Sequence, residues 1–133
     1  MAVEASRSLR TEAATGGLSE SLQTLLDQGR ATSVEAYDAA VAQASTERHI
    51  LLERLDGFDA VLAPAAPGAA PVGMATGSPT FSRPWQVLRL PSLTLSGARD
   101  RAGMPLGLQV IGRPGGEGHL LAVARWLGCW LGD

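Results

Sequence analysis

Apolar residues along the chain recur at two spacings, which predict helices in some segments and strands in others. The first clear helical face consists of leucines at i, i+4, i+7 and i+8, namely Leu18, Leu22, Leu25 and Leu26. Gly29 follows them, where a glycine is expected just past the end of a helix. A weaker stripe of alanine and leucine over residues 5–14 ends at Gly16-Gly17. The pattern therefore predicts two helical segments before residue 30.

The longest predicted helix runs from about Ser33 to Leu55. Its start matches a capping box, in which Thr32 is the N-cap and Glu35 bonds back to the Thr32 backbone. One face is apolar and carries Tyr37, Ala40, Val41, Ala44, Leu51, Leu52 and Leu55. Such a face is typical of a helix that covers a core. Asp56-Gly57 is predicted to end the helix.

Phe58–Ala63 is predicted to be a strand. Its last residues are continuously apolar, which favours burial on both faces, as in a parallel sheet. Prolines and glycines then exclude regular structure from Pro64 to Pro79. A loop of this length is usually functional or disordered, and an ordered crossing of the surface is the alternative.

A short helix followed by a hairpin forms the unit against which the remaining chain is expected to pack. The helix runs from Arg83 to about Arg89, with Ser82 as N-cap and Pro84 in its first turn. The hairpin strands are Leu93–Ala98 and Leu106–Ile111, and the polar link between them ends in glycine.

A Gly-rich turn leads into the last predicted helix, about His119 to Leu131, which carries Trp126 and Trp130 one turn apart. These elements together predict an α/β fold. The strand 58–63 and the hairpin form a small mixed sheet, covered by the long helix and the last helix. The length of 133 residues suits one small domain.

Composition excludes several classes of function. The net charge of −2 provides no basic face for nucleic acid. All eleven basic residues are arginine, so this chain supplies no lysine amine for Schiff-base or general-base chemistry. The single cysteine, Cys129, cannot form an intramolecular disulfide, and this favours a reducing compartment. With no apolar run long enough for a membrane span, a cytoplasmic location is expected.

Side chains that commonly carry chemistry have structural explanations here. Neither His49 nor His119 has ligand partners at metal-binding spacing, so no metal or cofactor is expected. Cys129 is expected to be a buried or half-buried thiol rather than a nucleophile. Asp56 and Asp59 flank a turn, where solvation or helix capping is favoured over glycoside chemistry. The turn 112–118 favours a strand-to-helix connection over an anion site, because Glu117 repels phosphate.

Four residues at the junction of the long loop and the short helix are the candidate substrate-binding residues. Phe81 and Trp85 stand one helical turn apart, and aromatic residues at such junctions often line small-molecule sites. Ser82 and Gln86 on neighbouring turns supply polar groups. Core packing of the two aromatic side chains is the alternative.

Four segments together resemble one family. Residues 58–64, FDAVLAP, resemble its "yDall.P" strand, and residues 76–85, TGSPTFSRPW, resemble its "TGdp.fn.pWt" segment. Residues 90–95, LPSLTL, resemble "LPaltlP". The most specific likeness is that of residues 103–114, GMPLGLQVIGRP, to "GLPvGlQliGrP". The chain from about residue 18 to 131 thus resembles the C-terminal portion of an amidase signature family enzyme.

This resemblance implies hydrolysis of carbon–nitrogen amide bonds by a Ser nucleophile, a second Ser with a cis peptide bond and a Lys base. In the family these residues lie upstream of the matching portion, so no catalytic residue is carried over. The resemblance implies that this portion closes the sheet and lines part of the acyl pocket. A small-molecule amide is therefore expected to bind only together with the N-terminal catalytic core. Arg89 departs from the family pattern, because it stands where a small glycine is usual.

Three interpretations remain open. The leading one is a C-terminal amidase fragment without activity of its own, and the second is one of the two polypeptides of a split amidase. The third, from another class, is a non-catalytic binding or interaction module that reuses the fold. An unpaired sheet edge and an apolar face of the last helix are expected to be exposed, which predicts self-association or a partner chain.

Overall fold

The computed structural model describes residues 1–131. It divides into two compact units, one from Met1 to Ser45 and one that begins at Thr46. The first unit contains three short helices, α1 (Ala2–Ser8), α2 (Arg10–Thr15) and α3 (Glu20–Ala31). Helix α4 (Val34–Arg54) continues from the first unit into the second.

Helix α1 packs against α3 at a glycine. Val3 and Leu26 are buried there, and Gly29 lies inside α3. A Cβ atom at position 29 would overlap the Ala2 carbonyl group. The prediction that Gly29 ends the helix is therefore wrong, since α3 continues to Ala31 and the glycine permits close approach of the two backbones.

Helix α4 begins one residue later than predicted. The Ser33 hydroxyl oxygen accepts a hydrogen bond from the Ala36 backbone N–H at 3.2 Å. Thr32, the predicted N-cap, instead donates its hydroxyl to the Gln28 carbonyl at 2.8 Å. Ser33 is therefore the capping residue. The cap also affects Glu35, because hydrogen bonds from its own backbone N–H and from the Ser33 side chain lower the pKa of its carboxyl group.

The apolar face of α4 does not form a buried surface. No residue of this helix is buried, and its leucines at positions 51 and 52 are half-buried. The prediction that this face of α4 covers a core is therefore wrong. The periodicity of the sequence gives the direction of the apolar face but does not say whether another element lies against it.

The sheet contains β1 (Val61–Pro64), β2 (Ser92–Arg99) and β3 (Pro105–Ile111) in the order β1-β3-β2. The hairpin prediction is confirmed, since β2 pairs antiparallel with β3. β1 is also antiparallel to β3, so the described sheet is antiparallel rather than mixed. β1 alternates between half-buried and exposed residues, which corrects its predicted burial on both faces.

The strand register defines one apolar face of the sheet. Leu62 lies opposite Val110, and Val110 lies opposite Leu93 on the other side. Side chains directly opposite one another in antiparallel strands point to the same face. Helix α6 (Glu117–Leu131) packs against β2 and β3 and buries Leu120 and Ala124. The last helix therefore covers the sheet as predicted.

The link between β2 and β3 is closed by one aspartate. The Asp100 carboxylate accepts hydrogen bonds from the backbone N–H groups of Ala102 and Met104 at 2.9 and 2.8 Å. Gly103 supplies a positive φ of 82°. An aspartate that bonds to the backbone ahead of it, followed by a glycine, is a local signal for a turn. This signal explains why the hairpin is predictable from the sequence.

None of the helices within residues 1–131 is both long enough and apolar enough to cross a membrane.

Candidate functional site

The candidate binding residues lie in and just before α5 (Arg83–Val87). Phe81, Ser82 and Trp85 are half-buried, whereas Gln86 is exposed. The Ser82 side chain does not cap the helix; its hydroxyl donates to the Pro79 carbonyl at 3.2 Å. The structure thus places all four residues on one short segment at the end of the long loop, with Gln86 directed to solvent.

The end of α5 is a Schellman motif. The Leu90 N–H donates to the Trp85 carbonyl at 2.9 Å, and the Arg89 N–H donates to the Gln86 carbonyl at 3.1 Å. This motif needs a left-handed residue at the first position past the cap, usually a glycine. Here Arg89 takes that conformation with a φ of 53°. The departure noted in the sequence therefore falls at a position that favours glycine for a physical reason.

Two buried polar atoms have no hydrogen-bond partner within the described residues: Trp85 Nε1 and Gln109 Oε1. Gln109 is only 6% exposed. Its Nε2 atom lies 3.5 Å from the Ser92 hydroxyl oxygen, at the outer limit of a hydrogen bond. Burying such groups unpaired costs free energy. Gln109 was not among the predicted site residues, although a polar residue between Leu108 and Val110 in an apolar strand is a visible signal.

Each histidine side chain lies close to a carboxylate. His119 Nε2 lies 2.9 Å from Asp59 Oδ1, and both side chains are exposed. His49 lies 3.3 Å from Glu53 within α4. Asp59 is solvent-exposed as predicted, and it also pairs with His119. Among the described residues, neither histidine is hydrogen-bonded to a serine, so the arrangement does not form a nucleophile–base pair.

Arg113 connects the turn before α6 to the end of α4. Its guanidinium donates to the Leu55 carbonyl and lies 3.5 Å from Asp56 Oδ1. Leu55 directly follows the last residue of α4, at a helix end where carbonyl groups have no partner within the helix. Arg113 therefore stabilises a helix terminus, and this supports the strand-to-helix interpretation of the turn 112–118. Asp56 is solvent-exposed as predicted, and its carboxylate lies beside the Arg113 guanidinium.

Cys129 is exposed on α6, so its predicted burial is wrong. Its thiol donates to the Arg125 carbonyl one turn earlier at 3.3 Å. Within residues 1–131, no three His, Cys, Asp or Glu side chains are grouped so that they could hold a metal ion.

Comparison with known proteins supports the family resemblance of the sequence motifs. No protein-family model matches the chain. A Glutamyl-tRNA(Gln) amidotransferase subunit from Dinoroseobacter shibae is 37% identical over 103 residues, 66% of this chain and 21% of the relative. The protein of the same name from a Jannaschia species is 36% identical over 101 residues, 66% of this chain and 20% of the relative.

A solved structure named as an amidase matches 98% of this chain with a TM-score of 0.84 and 32% sequence identity. The chain is a homologue of part of an amidase signature family enzyme. It spans about a fifth of the length of its curated relatives and a third of the solved amidase. The resemblance stated from the four sequence segments is thereby confirmed.

Proposed function

We propose that this chain is the C-terminal scaffold and substrate-pocket part of an amidase that hydrolyses carbon–nitrogen amide bonds, and that it is inactive alone. The observation that carries the proposal is the match of 98% of the chain to one third of a solved amidase at a TM-score of 0.84. Under this proposal the N-terminal catalytic core is supplied by other polypeptide. The location that we propose is the cytoplasm.

The inactivity of the chain alone follows from its chemistry. A serine hydroxyl attacks an amide only when a base removes its proton. The chain contains no lysine, and its two histidines pair with carboxylates rather than serines within the described residues. We therefore assign no catalytic residue to this chain.

The contribution proposed for this chain is the wall of the pocket formed by Phe81, Ser82, Trp85 and Gln86. The aromatic rings provide apolar surface, and the exposed Gln86 carboxamide both donates and accepts hydrogen bonds, as an amide substrate requires. The indole N–H of Trp85 is buried, so the ring, rather than this polar atom, is proposed to face the substrate.

The test is complementation. The part of the solved amidase that this chain does not match is produced as a separate polypeptide, and hydrolysis of a short-chain amide is measured for each part and for the mixture. We expect turnover in the mixture only. Turnover, or labelling by a serine-reactive acyl probe, with this chain alone would refute its inactivity. Absence of turnover in a mixture that forms a stable complex would refute the amidase role.

A matched pair of variants tests the pocket. Gln86→Ala removes an exposed carboxamide from the proposed wall, and Gln43→Ala removes an exposed carboxamide from α4. We expect the first to lower turnover in the mixture by about ten-fold, the effect of losing roughly 1.4 kcal/mol of transition-state binding, and the second to have no effect. Equal turnover for both variants would exclude Gln86 from the site.

A second candidate function is a non-catalytic interaction module. The observation that favours it is the exposed tryptophan pair on α6, where Trp126 and Trp130 are 61% and 74% exposed. Their rings meet edge to face with centroids 6.0 Å apart, and exposed aromatic clusters often mark interfaces. Failure of amidase complementation together with concentration-dependent association, measured by light scattering, would support this alternative.

A further inference from the structure

Charged side chains are distributed unevenly around the proposed pocket wall. Between Ala60 and Ala98 the charged residues are Arg83 and Arg89, and this stretch contains no acidic residue. The other nine arginines and all thirteen acidic residues lie before or after it. The long loop and α5 therefore belong to a positively charged segment, within a chain whose net charge is −2.

The two arginines of this segment are not neutralised by carboxylates among residues 1–131. Arg30 and Arg113 each lie beside an aspartate. Arg83 and Arg89 take part in no ion pair and no side-chain hydrogen bond of the described residues, and both are exposed. A guanidinium carries five N–H donors, so Arg89 keeps its full capacity to bind an anion.

Arg89 occupies a backbone conformation that is unfavourable for an arginine. Its φ of 53° is left-handed, and glycine adopts this conformation with less strain. Residues strained in this way are concentrated at functional sites. Packing does not explain the side chain, because it is exposed. A binding role of the guanidinium gives a physical reason for an arginine at this position.

The backbone places Arg89 beside the proposed pocket wall. Its N–H donates to the Gln86 carbonyl at 3.1 Å, and the Leu90 N–H donates to the Trp85 carbonyl at 2.9 Å. The chain at residue 89 is therefore folded back against the turn that carries Trp85 and Gln86. An arginine has a long stem that carries its charged head away from the backbone. This length allows the guanidinium to reach a ligand bound at the exposed Gln86.

We propose that Arg89 binds a carboxylate of the substrate, and that the substrates are monoamides of dicarboxylic acids. This inference rests on the proposed function and names the substrate class of the same pocket. The amide end of the substrate points to the catalytic core on the other polypeptide, and the acid end faces Arg89. A guanidinium matches the shape of a carboxylate and binds it through two parallel hydrogen bonds.

The charge distribution also excludes one kind of acid amide from this class. An amino-acid amide carries an ammonium group, which needs an acidic or polar partner when it is bound. The segment from Ala60 to Ala98 contributes two positive charges and no negative charge. Like charges near one another are repelled, so the preferred monoamide has no ammonium group.

The primary test compares three substrates in the mixture of the full chain with the unmatched part of the solved amidase, at constant ionic strength. The first is the monoamide of glutaric acid, and the second is its uncharged analogue, in which an acetyl group replaces the carboxylate. The third is glutamine, which adds an ammonium group to the first. We expect kcat/KM to be highest for the monoamide. A higher value for glutamine or for the uncharged analogue contradicts the proposed class.

Two arginine variants separate a local contact from the effect of net charge. Arg89→Gly removes the guanidinium beside the pocket wall, and Arg101→Ala removes an exposed one from the link between β2 and β3. The readout is the ratio of kcat/KM for the monoamide to that for the uncharged analogue, which does not depend on the folded fraction. We expect Arg89→Gly to lower this ratio at least about ten-fold, the effect of losing hydrogen bonds to a charged group.

Arg101→Ala is expected to leave that ratio unchanged. Arg89→Lys is expected to retain part of the preference, because lysine keeps the charge but not the paired hydrogen bonds. An unchanged ratio for Arg89→Gly, or an equal fall for Arg101→Ala, overturns the proposal.

A binding measurement separates this inference from the proposed function. Glutarate, the product of the monoamide, carries the same carboxylate and is not consumed, and NMR follows the Nε–H signals of Arg89 and Arg101 as it is added to the mixture. A saturable shift of the Arg89 signal without amide turnover supports the carboxylate site and refutes the amidase role. Turnover with a ratio that Arg89→Gly does not change supports the amidase role and overturns this inference. No saturable shift at Arg89, or equal shifts of both arginines, overturns the inference whether or not amides are hydrolysed.

Discussion

Replacing Arg89 by glycine is expected to stabilise the chain. Arg89 occupies the left-handed position of the Schellman motif after α5, with a φ of 53°. An L-residue in this conformation is strained by contact between its Cβ and the backbone, whereas glycine is not. The side chain is exposed, so the substitution removes little packing. The hydrogen bonds of Leu90 and Arg89 to the helix carbonyls are backbone bonds and remain available to the variant.

The magnitude follows from two opposing terms. Relief of left-handed strain contributes about 1–2 kcal/mol. The greater freedom of glycine in the unfolded chain costs about 0.5–1 kcal/mol. We therefore expect Arg89→Gly to raise the free energy of unfolding by about 0.5–1 kcal/mol, which corresponds to a rise in Tm of roughly 2–8 °C for a unit of this size.

Tryptophan fluorescence during urea unfolding measures this effect locally. All three tryptophans, Trp85, Trp126 and Trp130, belong to the second compact unit, so the signal reports on the unit that contains α5. Arg89→Ala is the control, because it removes the same charge and stem but keeps a Cβ; it is expected to give no gain. Stabilisation by Arg89→Ala equal to that by Arg89→Gly, or no gain from Arg89→Gly, would refute the strain argument.

Four further substitutions test other parts of the fold. Gly29→Ala is expected to destabilise the first unit by at least about 2 kcal/mol, because the added Cβ clashes with the backbone of α1. Gly118 has open space around it, so Gly118→Ala is expected to stabilise α6 by about 0.5 kcal/mol. Thermal unfolding followed by circular dichroism measures both effects. Arg113→Ala is expected to cost about 1 kcal/mol in urea unfolding by removing one of the two hydrogen bonds that the Leu55 carbonyl accepts, the other being from the Phe58 N–H. Ser33→Ala is expected to raise the pKa of Glu35 toward its ordinary value, and NMR titration measures this change. Because the pKa of Glu35 is lowered in the folded chain, its carboxylate stabilises the fold at neutral pH. This stabilisation is lost as the pH falls through the folded pKa.

Local signals explain what the sequence predicts correctly. The hairpin follows from alternating apolar residues and from Asp100 and Gly103 in the link, and the structure contains those turn contacts. The last helix follows from its periodic apolar face, which buries Leu120 and Ala124. The sequence also marks position 89 as one where the family has a glycine, and the structure shows that Arg89 is left-handed there. Each of these features depends on residues close to one another in the sequence.

The features that the sequence does not reveal depend on distant residues. The direction of β1 relative to β3 is set by the path of the chain between residues 65 and 104, which contains a long loop without a periodic pattern. The contact between His119 and Asp59 joins residues 60 positions apart. Burial of an apolar run also depends on what lies against it, so the periodicity of α4 did not reveal that none of its residues is buried.

The apolar surface of α6 agrees with the expectation that the last helix exposes an apolar face. Leu121, Trp126 and Trp130 are exposed, together with Cys129. Association through this face, with itself or with another chain, stays a prediction. Light scattering of Trp126→Gln and Trp130→Gln variants over a concentration series measures it, and unchanged association in both variants would exclude the tryptophan pair.

A covalent chimera tests the central claim most directly. In this chimera the present chain replaces the matched third of the solved amidase, so the measurement does not depend on the affinity between separate polypeptides. We expect that the folded chimera hydrolyses an amide substrate, and that Arg89→Gly in the chimera increases the folded fraction. A chimera that folds with and without that substitution, yet shows no amide turnover under conditions in which the parent amidase is active, would contradict the account.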